Sequence, residues 1–403
     1  MTREELQRLL EPKVWDWIEQ HGEDDPAAFA LKHHGRSDLP VRAIAEQIAC
    51  RRKAAKKLPT LSLRQLLYTK LSLEQASGER TARYKSGLEG VAGKKMLDMT
   101  GGLGIDSIFF ARRFEEVLYV ERDDVLAGIA SHNFRELGIN NITVIRGDSR
   151  ELLESSSDGA FEWIFLDPAR RGKGKRSVAL GETEPNVVEL HDLLLRKAGR
   201  FCVKASPALE ISTIRETLPS LSRVLVLSVD RECKETVLLC ERGGQPAAEV
   251  VIEAVCLGAE NKTVVASGGD RVSRRFIADK VGKYFYEPDP AIIKARLSEV
   301  LAQQHEMRFI NPQVDYLTSD RKISPFPGKV FRVKESLQYK PKTFPHFLKR
   351  AGITAASVQR RDFPLSSDQI RRIYSLKENV GRHLFFSRDL YGRLLCIYCD
   401  REA

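Results

Sequence analysis

The sequence predicts an α/β protein: a doubly wound sheet, preceded by an N-terminal helical region and followed by small α+β domains. Three observations carry this. Lys95-Met96-Leu97 runs into Asp98-Met-Thr-Gly-Gly-Leu-Gly104, an apolar strand ending in a carboxylate and a glycine-rich turn. Three further apolar or β-branched runs each end in an acid: Val117–Val120 before Glu121, Ile142–Ile145 before Gly147-Asp148, and Trp163–Leu166 before Asp167-Pro168. The runs recur at the spacing of repeated strand–helix units. In an open α/β sheet the carboxyl ends of parallel strands are where ligands bind. Glycines let a backbone approach a ligand closely, and the following helix turns its free N–H groups toward it.

The elements follow in order. Residues 1–90 read as helices, with Leu6, Leu9, Leu10, Trp15 and Ile18 at helical spacing. Within them Arg51-Arg52-Lys53-Ala-Ala-Lys56-Lys57 is a basic helix face, either solvated or in contact with phosphates. Residues 91–245 form the core, with five strand–helix steps and a fifth strand at Phe201–Lys204. Val224–Val229 and Thr236–Cys240 follow without a helix pattern, as a hairpin would, and Glu241-Arg-Gly-Gly-Gln-Pro246 punctuates the end. Residues 246–322 hold strands at Glu249–Cys256 and Thr263–Ala266, one amphipathic helix at Ala291–Gln304, and an extended piece at Val314–Leu317. Residues 323–403 read as strand Val330–Val333, helix Thr343–Ala351, strand Ala356–Arg361, helix Ser367–Leu376, and strands His383–Phe386 and Arg393–Cys399.

The spacing of the acids narrows the ligand. Glu121 lies 17 residues past Gly104, near the ~20 expected of a carboxylate that binds ribose hydroxyls. A dinucleotide fingerprint needs two residues between its second and third glycines. Here only Leu103 separates Gly102 from Gly104, and Asp106 stands where a further glycine would. That fits a nucleoside cofactor without a diphosphate. Singly, Glu121 reads equally as a solvated strand-end acid, and Asp148 and Asp167-Pro168 as turn residues. Four acids in strand order point to a site.

From about Leu73 to Arg242 this set resembles the class I S-adenosylmethionine-dependent methyltransferases. Their glycine motif is roughly D-x-G-x-G-x-G, and Thr100 stands in the first glycine position. The resemblance implies S-adenosyl-L-methionine as cofactor. Asp98, Thr100, Gly101, Gly102 and Gly104 would hold its methionine end, Glu121 its ribose and Asp148 its adenine amino group. Glu74–Lys85 would cover the methionine end, and Asp167 and Pro168 would face the methyl acceptor. Amino-group methyltransferases carry D/N-P-P-Y/F there; this chain has Asp167-Pro168-Ala169-Arg170, in which Arg170 replaces the stacking aromatic. The string is also close to the D-P-P-R of uridine carbon-5 methyltransferases. Their cysteine position is Ala205 here, and Cys202 sits inside the strand, which disfavours covalent chemistry. The favoured acceptor is an exocyclic base nitrogen, and Arg170-Arg171 opens a basic loop expected to touch nucleic acid.

Charge and composition address the partner. The net charge is +10, and residues 321–403 carry 18 Lys/Arg against 7 Asp/Glu, so the excess lies in the last module. Such asymmetry suits a polyanion, although solubility alone also produces it. With the glycine turn, D-P-A-R-R and Gly352–Leu365, the chain resembles a bacterial methyltransferase family with a ferredoxin-like segment and a C-terminal THUMP-like domain. That implies RNA, tRNA or rRNA, with Arg360 and Arg361 on the binding face. No run of 18 apolar residues exists, so no membrane span is expected. Seven scattered cysteines and a charged N-terminus suggest a cytoplasmic protein. Cys396-Ile-Tyr-Cys399 has no second pair, so no metal is expected. The expected function is methylation of RNA. The alternatives are an RNA-binding or assembly protein with a structural cofactor site, and a methyltransferase of proteins or small molecules.

Overall fold

The computed structural model describes residues 1–170, 179–243, 250–258, 262–267 and 275–402. They form two compact units, Met1–Val224 with Glu235–Ala247, and Leu225–Lys234 with Ala248–Ala403.

The first unit opens with six helices: α1 (Arg3–Leu9), α2 (Pro12–Gln20), α3 (Pro26–Lys32), α4 (Val41–Lys57), α5 (Lys70–Gln75) and α6 (Glu79–Ser86). Their starts follow local chemistry. Thr2 makes a capping box with Glu5, Asp25 caps α3 ahead of Pro26, and Thr69 caps α5. Leu9, Val14, Ile18, Ile44 and Ile48 share one core with Leu103, Phe109, Ile129 and Phe134 of the strand–helix region. The extended stretch between α4 and α5 is clamped by buried amides. Gln47 exchanges hydrogen bonds with the Tyr68 backbone at 2.7 and 3.0 Å, and Asn133 does the same for Leu67 at 2.8 and 3.0 Å. Buried backbone groups outside helices and sheets need such partners.

The core continues with β1 (Gly93–Asp98), α7 (Ile105–Phe110), β2 (Phe114–Glu121), α8 (Asp124–Glu136), β3 (Ile142–Arg146), α9 (Ser149–Ser155), β4 (Phe161–Leu166), α10 (Val187–Lys197), β5 (Ala198–Ala205), α11 (Ile211–Thr217), β6 (Leu221–Val229) and β7 (Glu232–Glu241). Strand order is β3-β2-β1-β4-β5-β7-β6. The first five are parallel, and β7 runs antiparallel to β5. Order reverses between β1 and β4, the switch point at which such sheets bind ligands. Residues on both faces of the central strand β4 are buried, as crossover helices on the two sides require, whereas the edge strand β3 has none fully buried.

The second unit holds the antiparallel pair β8 (Val251–Leu257) and β9 (Lys262–Ser267). It continues with β10 (Tyr284–Pro288), α12 (Pro290–Lys294), α13 (Ser298–Gln304), β11 (Arg308–Phe309), β12 (Leu317–Ser319), β13 (Gly328–Gln338), α14 (Phe344–Arg350), β14 (Ser357–Arg360), α15 (Ser367–Ile373), β15 (Arg382–Arg388) and β16 (Leu394–Arg401). The order β11-β12-β10-β13-β16-β15-β14 makes one seven-stranded sheet. Phe285 of β10 faces Phe331 of β13, so the sheet spans the boundary drawn at 322 from the sequence. The single helix expected over Ala291–Gln304 is two helices. Arg296 adopts φ +56° and Leu297 N–H closes on Ile292 O at 2.9 Å, a left-handed stop without the glycine that usually marks one. The strand expected at Val330–Val333 is longer at both ends: β10 pairs with Gly328–Arg332, and β16 pairs with Phe331–Gln338 across a register shift between Val333 and Glu335.

Candidate active site

The end of β1 builds the floor of a pocket. Asp98 is buried; it accepts the Thr100 N–H at 3.0 Å and the Ser107 hydroxyl. Gly102 and Gly104 take φ of +55° and +76°. Gly101 meets a different demand: a Cβ there would lie 2.3 Å from the Tyr119 ring. The Tyr119 hydroxyl in turn donates to the Gly102 carbonyl, so a buried aromatic props the turn from below. Thr100, the residue in a glycine position, accepts the Asp167 N–H on its hydroxyl and ties the end of β4 to the turn. Glu121 accepts N–H groups from Gly102 and Asp123, each at 2.8 Å. Asp148 caps α9 through the Arg150 N–H at 2.7 Å and is exposed.

Asp98, Thr100, Gly101, Gly102, Gly104, Glu121, Asp148 and Asp167 all line one pocket of about 810 Å³, with Gln75, Ala76 and Ser77 beside them. Pro168 lies between two lining residues, Asp167 and Ala169, and does not line it. Arg170 does not line it either; its backbone pairs with Thr183 in a two-residue ribbon. Its side chain and Arg171 lie outside the described residues. In the second unit Arg360 is exposed, whereas Arg361 donates to Glu287 at 2.9 Å and stacks over Tyr316.

Five buried or half-buried groups gather beside the turn: Ser77 and Lys85, in the Glu74–Lys85 segment expected to cover the methionine end, and Asp106, Glu235 and Lys204, which the sequence reading did not place in a site. Lys85 of α6 has no exposed surface and holds Asp106 at 2.9 Å, Glu235 at 2.8 Å and the Ser77 hydroxyl at 2.8 Å. Lys204, at the end of β5, donates to Asp167 and to the Gln75 carbonyl. Burial pushes the Asp98 carboxyl up to about 7, with Asp106 and Asp167 adding to the rise and its two hydrogen bonds opposing it. Burial also raises Asp167, and Lys204 opposes that rise, although 34% of the side chain is open. For Asp106 burial acts upward, but the charges of Lys85 and Lys204 outweigh it and hold the group below the usual carboxylate range.

The basic run of α4 is largely engaged at home. Arg52 donates to the Gly22 and Asp24 carbonyls, Lys57 to those of Leu73 and Glu74, and Lys53 pairs with Glu74. Cys202 is buried and its thiol is pushed up by burial, away from nucleophilic character. Cys396 and Cys399 sit in separate cores, on opposite faces of their strand. Among the described residues, no three His, Cys, Asp or Glu gather as a metal site. No described helix is long and apolar enough to cross a membrane.

A sequence profile described as THUMP domain-like matches residues 328–401, and one described as Conserved hypothetical protein 95 matches residues 78–176. An uncharacterised S-adenosylmethionine-dependent methyltransferase of Mycobacterium tuberculosis H37Rv is 25% identical over 351 residues, 83% of this chain and 89% of its own length. A crystal structure of a candidate methyltransferase from Porphyromonas gingivalis W83 aligns over 100% of both chains with a TM-score of 0.87 and 26% identity. The pocket suits S-adenosylmethionine. Its turn leaves no space for a side chain at Gly101, and its carboxylates outnumber its lysines, which favours a ligand carrying a sulfonium and an ammonium. Fold, pocket and relatives agree on S-adenosylmethionine-dependent methyl transfer by a core with the class I methyltransferase fold, followed by a THUMP-like segment over residues 328–401.

Proposed function

We propose that the protein methylates RNA, tRNA or rRNA, in the cytoplasm, with an exocyclic base nitrogen as acceptor. The observation that carries the acceptor is Asp167, set at the pocket by the Thr100 hydroxyl on its N–H and by Lys204 on Oδ2. In this reading residues 91–245 are the catalytic core and 1–90 its helical cover. Residues 246–322 are a strand extension with the ferredoxin-like segment, and 323–403 recruit RNA through their excess charge.

Asp98 faces the ammonium end of the cofactor, Glu121 takes the ribose hydroxyls and Asp148 the adenine amino group. Gly101, Gly102 and Gly104 allow the close approach. S-adenosylmethionine, when bound, supplies an electrophilic methyl group on a sulfonium. The work of the chain is then to position the acceptor and manage one proton. Asp167 Oδ1 would accept a hydrogen bond from the target amine and take its proton as the nitrogen gains the methyl group, the carbon–sulfur bond breaking to leave a neutral thioether. Lys204 opposes the rise that burial gives that carboxyl. Pro168 stiffens the turn, and Arg170 and Arg171 stack on or steer the nucleotide.

The test is tritiated methyl transfer to total RNA from a strain lacking the protein, followed by nucleoside analysis. Asp167→Ala should lower transfer by about 10²–10⁴, the usual contribution of a positioned acid–base group, with S-adenosylhomocysteine affinity nearly unchanged. Cys202→Ala should leave the rate near that of the parent. Label in protein rather than RNA, or a covalent adduct through a cysteine, sinks the reading.

Cofactor affinity should depend on pH through Asp98. Its raised carboxyl contributes stability below the ordinary value near 4, and that contribution is lost as pH rises through about 7. An ammonium bound beside it favours the ionised form and so releases a proton. S-adenosylmethionine affinity should therefore fall by up to about tenfold per pH unit below 7 and level off above it. Calorimetry between pH 5 and 8 checks this. Asp98→Asn should flatten the slope; an unaltered slope in that variant assigns it to another group.

A further inference from the structure

In the second unit, Glu287 closes β10 and is surrounded by cations. Arg361 donates to its Oε1 at 2.9 Å, while Lys329 and Arg231 approach its Oε2 at 3.5 and 3.8 Å. The Glu287 side chain is only 11% exposed, whereas Arg231, Lys329 and Arg361 are 27%, 29% and 32% exposed. One carboxylate thus faces three cations. Charge-assisted hydrogen bonds sit near 2.7–2.9 Å, so two of the three are attracted to it without being saturated by it. Arg401 and Asp289 stand near enough to act on Arg231 and cancel in charge. Among the described residues, Glu287 with Arg231, Lys329 and Arg361 leaves an excess of two positive charges.

Two buried polar atoms sharpen the picture. Among the described residues Arg231 Nε has no hydrogen-bond partner, and neither has His383 Nδ1; His383 is 5% exposed and feels Lys329, Arg401 and Glu287. Burial weakens the charged form of Arg231 by more than Glu287 and Asp289 restore, and Arg401 adds repulsion. A buried donor or cation without an acceptor is costly. The turn holding Arg231 carries a further cost: Asp230 and Arg231 adopt φ of +49° and +68° without being glycines. Such strain recurs at ligand clamps.

We propose that Arg231, Lys329 and Arg361 form an anion site for a phosphate group, with Glu287 holding the three side chains together until that group arrives. A phosphate brings several acceptor oxygens and one or two negative charges, which match the excess charge and the fork of donors on each guanidinium. It comes either from an RNA backbone or from a free phosphate or monoester. The proposal rests on the RNA reading only for the first of these sources.

The test uses the full chain, with inorganic phosphate and a 12-nucleotide oligouridylate as separate probes in calorimetry. S-adenosylhomocysteine binding serves as the control for folding. Arg231→Met should weaken inorganic phosphate at least tenfold. Glu287→Gln removes the competing carboxylate and should tighten it several-fold, an effect that a purely structural ion cluster does not produce. Lys329→Gln, a milder change, should weaken phosphate and lower the salt dependence of oligouridylate binding by about one phosphate contact. If phosphate responds in this way and the oligonucleotide does not bind, the site stands with a free phosphate or monoester as ligand, and the RNA reading fails. Weaker phosphate binding in Glu287→Gln, or an unchanged response in Arg231→Met and Lys329→Gln, overturns the site whatever the RNA assay shows.

Discussion

Lys85→Met is expected to lower stability by about 3–5 kcal/mol, the cost of removing one partner from a buried ion pair. The ammonium has no exposed surface and lies between Asp106 and Glu235. Methionine keeps most of the volume, so the loss comes from two buried carboxylates that lose their shared ammonium, with Lys204 still acting on Asp106. At roughly 2–4 °C per kcal/mol for a domain of this size, the melting temperature should fall by on the order of 10 °C. The pH dependence identifies the cause. In the parent, burial would raise Asp106, but Lys85 and Lys204 hold it low. Its contribution to stability is therefore present above the ordinary carboxylate value and lost in acid as pH falls through the lower folded value. In the variant the burial of Asp106 is no longer offset by Lys85, and the sign inverts: its stability is present in acid and lost as pH rises through the raised value. The gap between parent and variant should be wide at pH 8 and narrow toward pH 5. Urea unfolding at both pH values checks this. A gap that is equal at the two values would show that Lys85 is not the counter-charge.

Gly101→Ala should abolish cofactor binding while leaving the fold in place. The new Cβ would lie 2.3 Å from two ring carbons of Tyr119. That ring cannot swing away, because it is buried, packs edge-on against Phe134 at 5.4 Å and donates its hydroxyl to Gly102. The turn must move instead, at about 1–3 kcal/mol for overpacking. The movement lifts Gly102 N–H from Glu121 and Thr100 from Asp167, both of which meet at the pocket. S-adenosylhomocysteine affinity should fall by about 100-fold or more, a loss of roughly 3 kcal/mol. Parental affinity in this variant would show that the turn does not touch the cofactor. Tyr119→Val in the same background makes room and should restore part of the binding.

Much of this protein was legible in the chain alone, because the relevant signals are local. A strand, an acid and a glycine turn are a few residues long, and each is dictated by backbone sterics or by a two-residue period. The order of Asp98, Glu121, Asp148 and Asp167 along the chain, with short crossovers between them, is enough to bring them to one edge of a parallel sheet. The N-terminal helices, the hairpin of β6 and β7 and the position of the excess charge follow from periodicity and composition.

Tertiary structure alone decided the rest. Lys85 ends the segment Glu74–Lys85, which reads as a cover over the cofactor; that its ammonium is buried follows only from Ser77 and Glu235, 158 positions apart, closing around it. Thr100 reads as a lapse in a glycine motif until the Asp167 N–H is seen on its hydroxyl, 67 positions away. Tyr119 is one apolar residue in a strand until the turn folds over it. Arg361 reads as a free cation until Glu287 and Tyr316 take it. The two C-terminal segments read as separate because no local pattern announces that Phe285 and Phe331 pair across a boundary. A sequence records what each residue can do with its neighbours in the chain. Burial, counter-charge and sheet register depend on neighbours that only folding supplies.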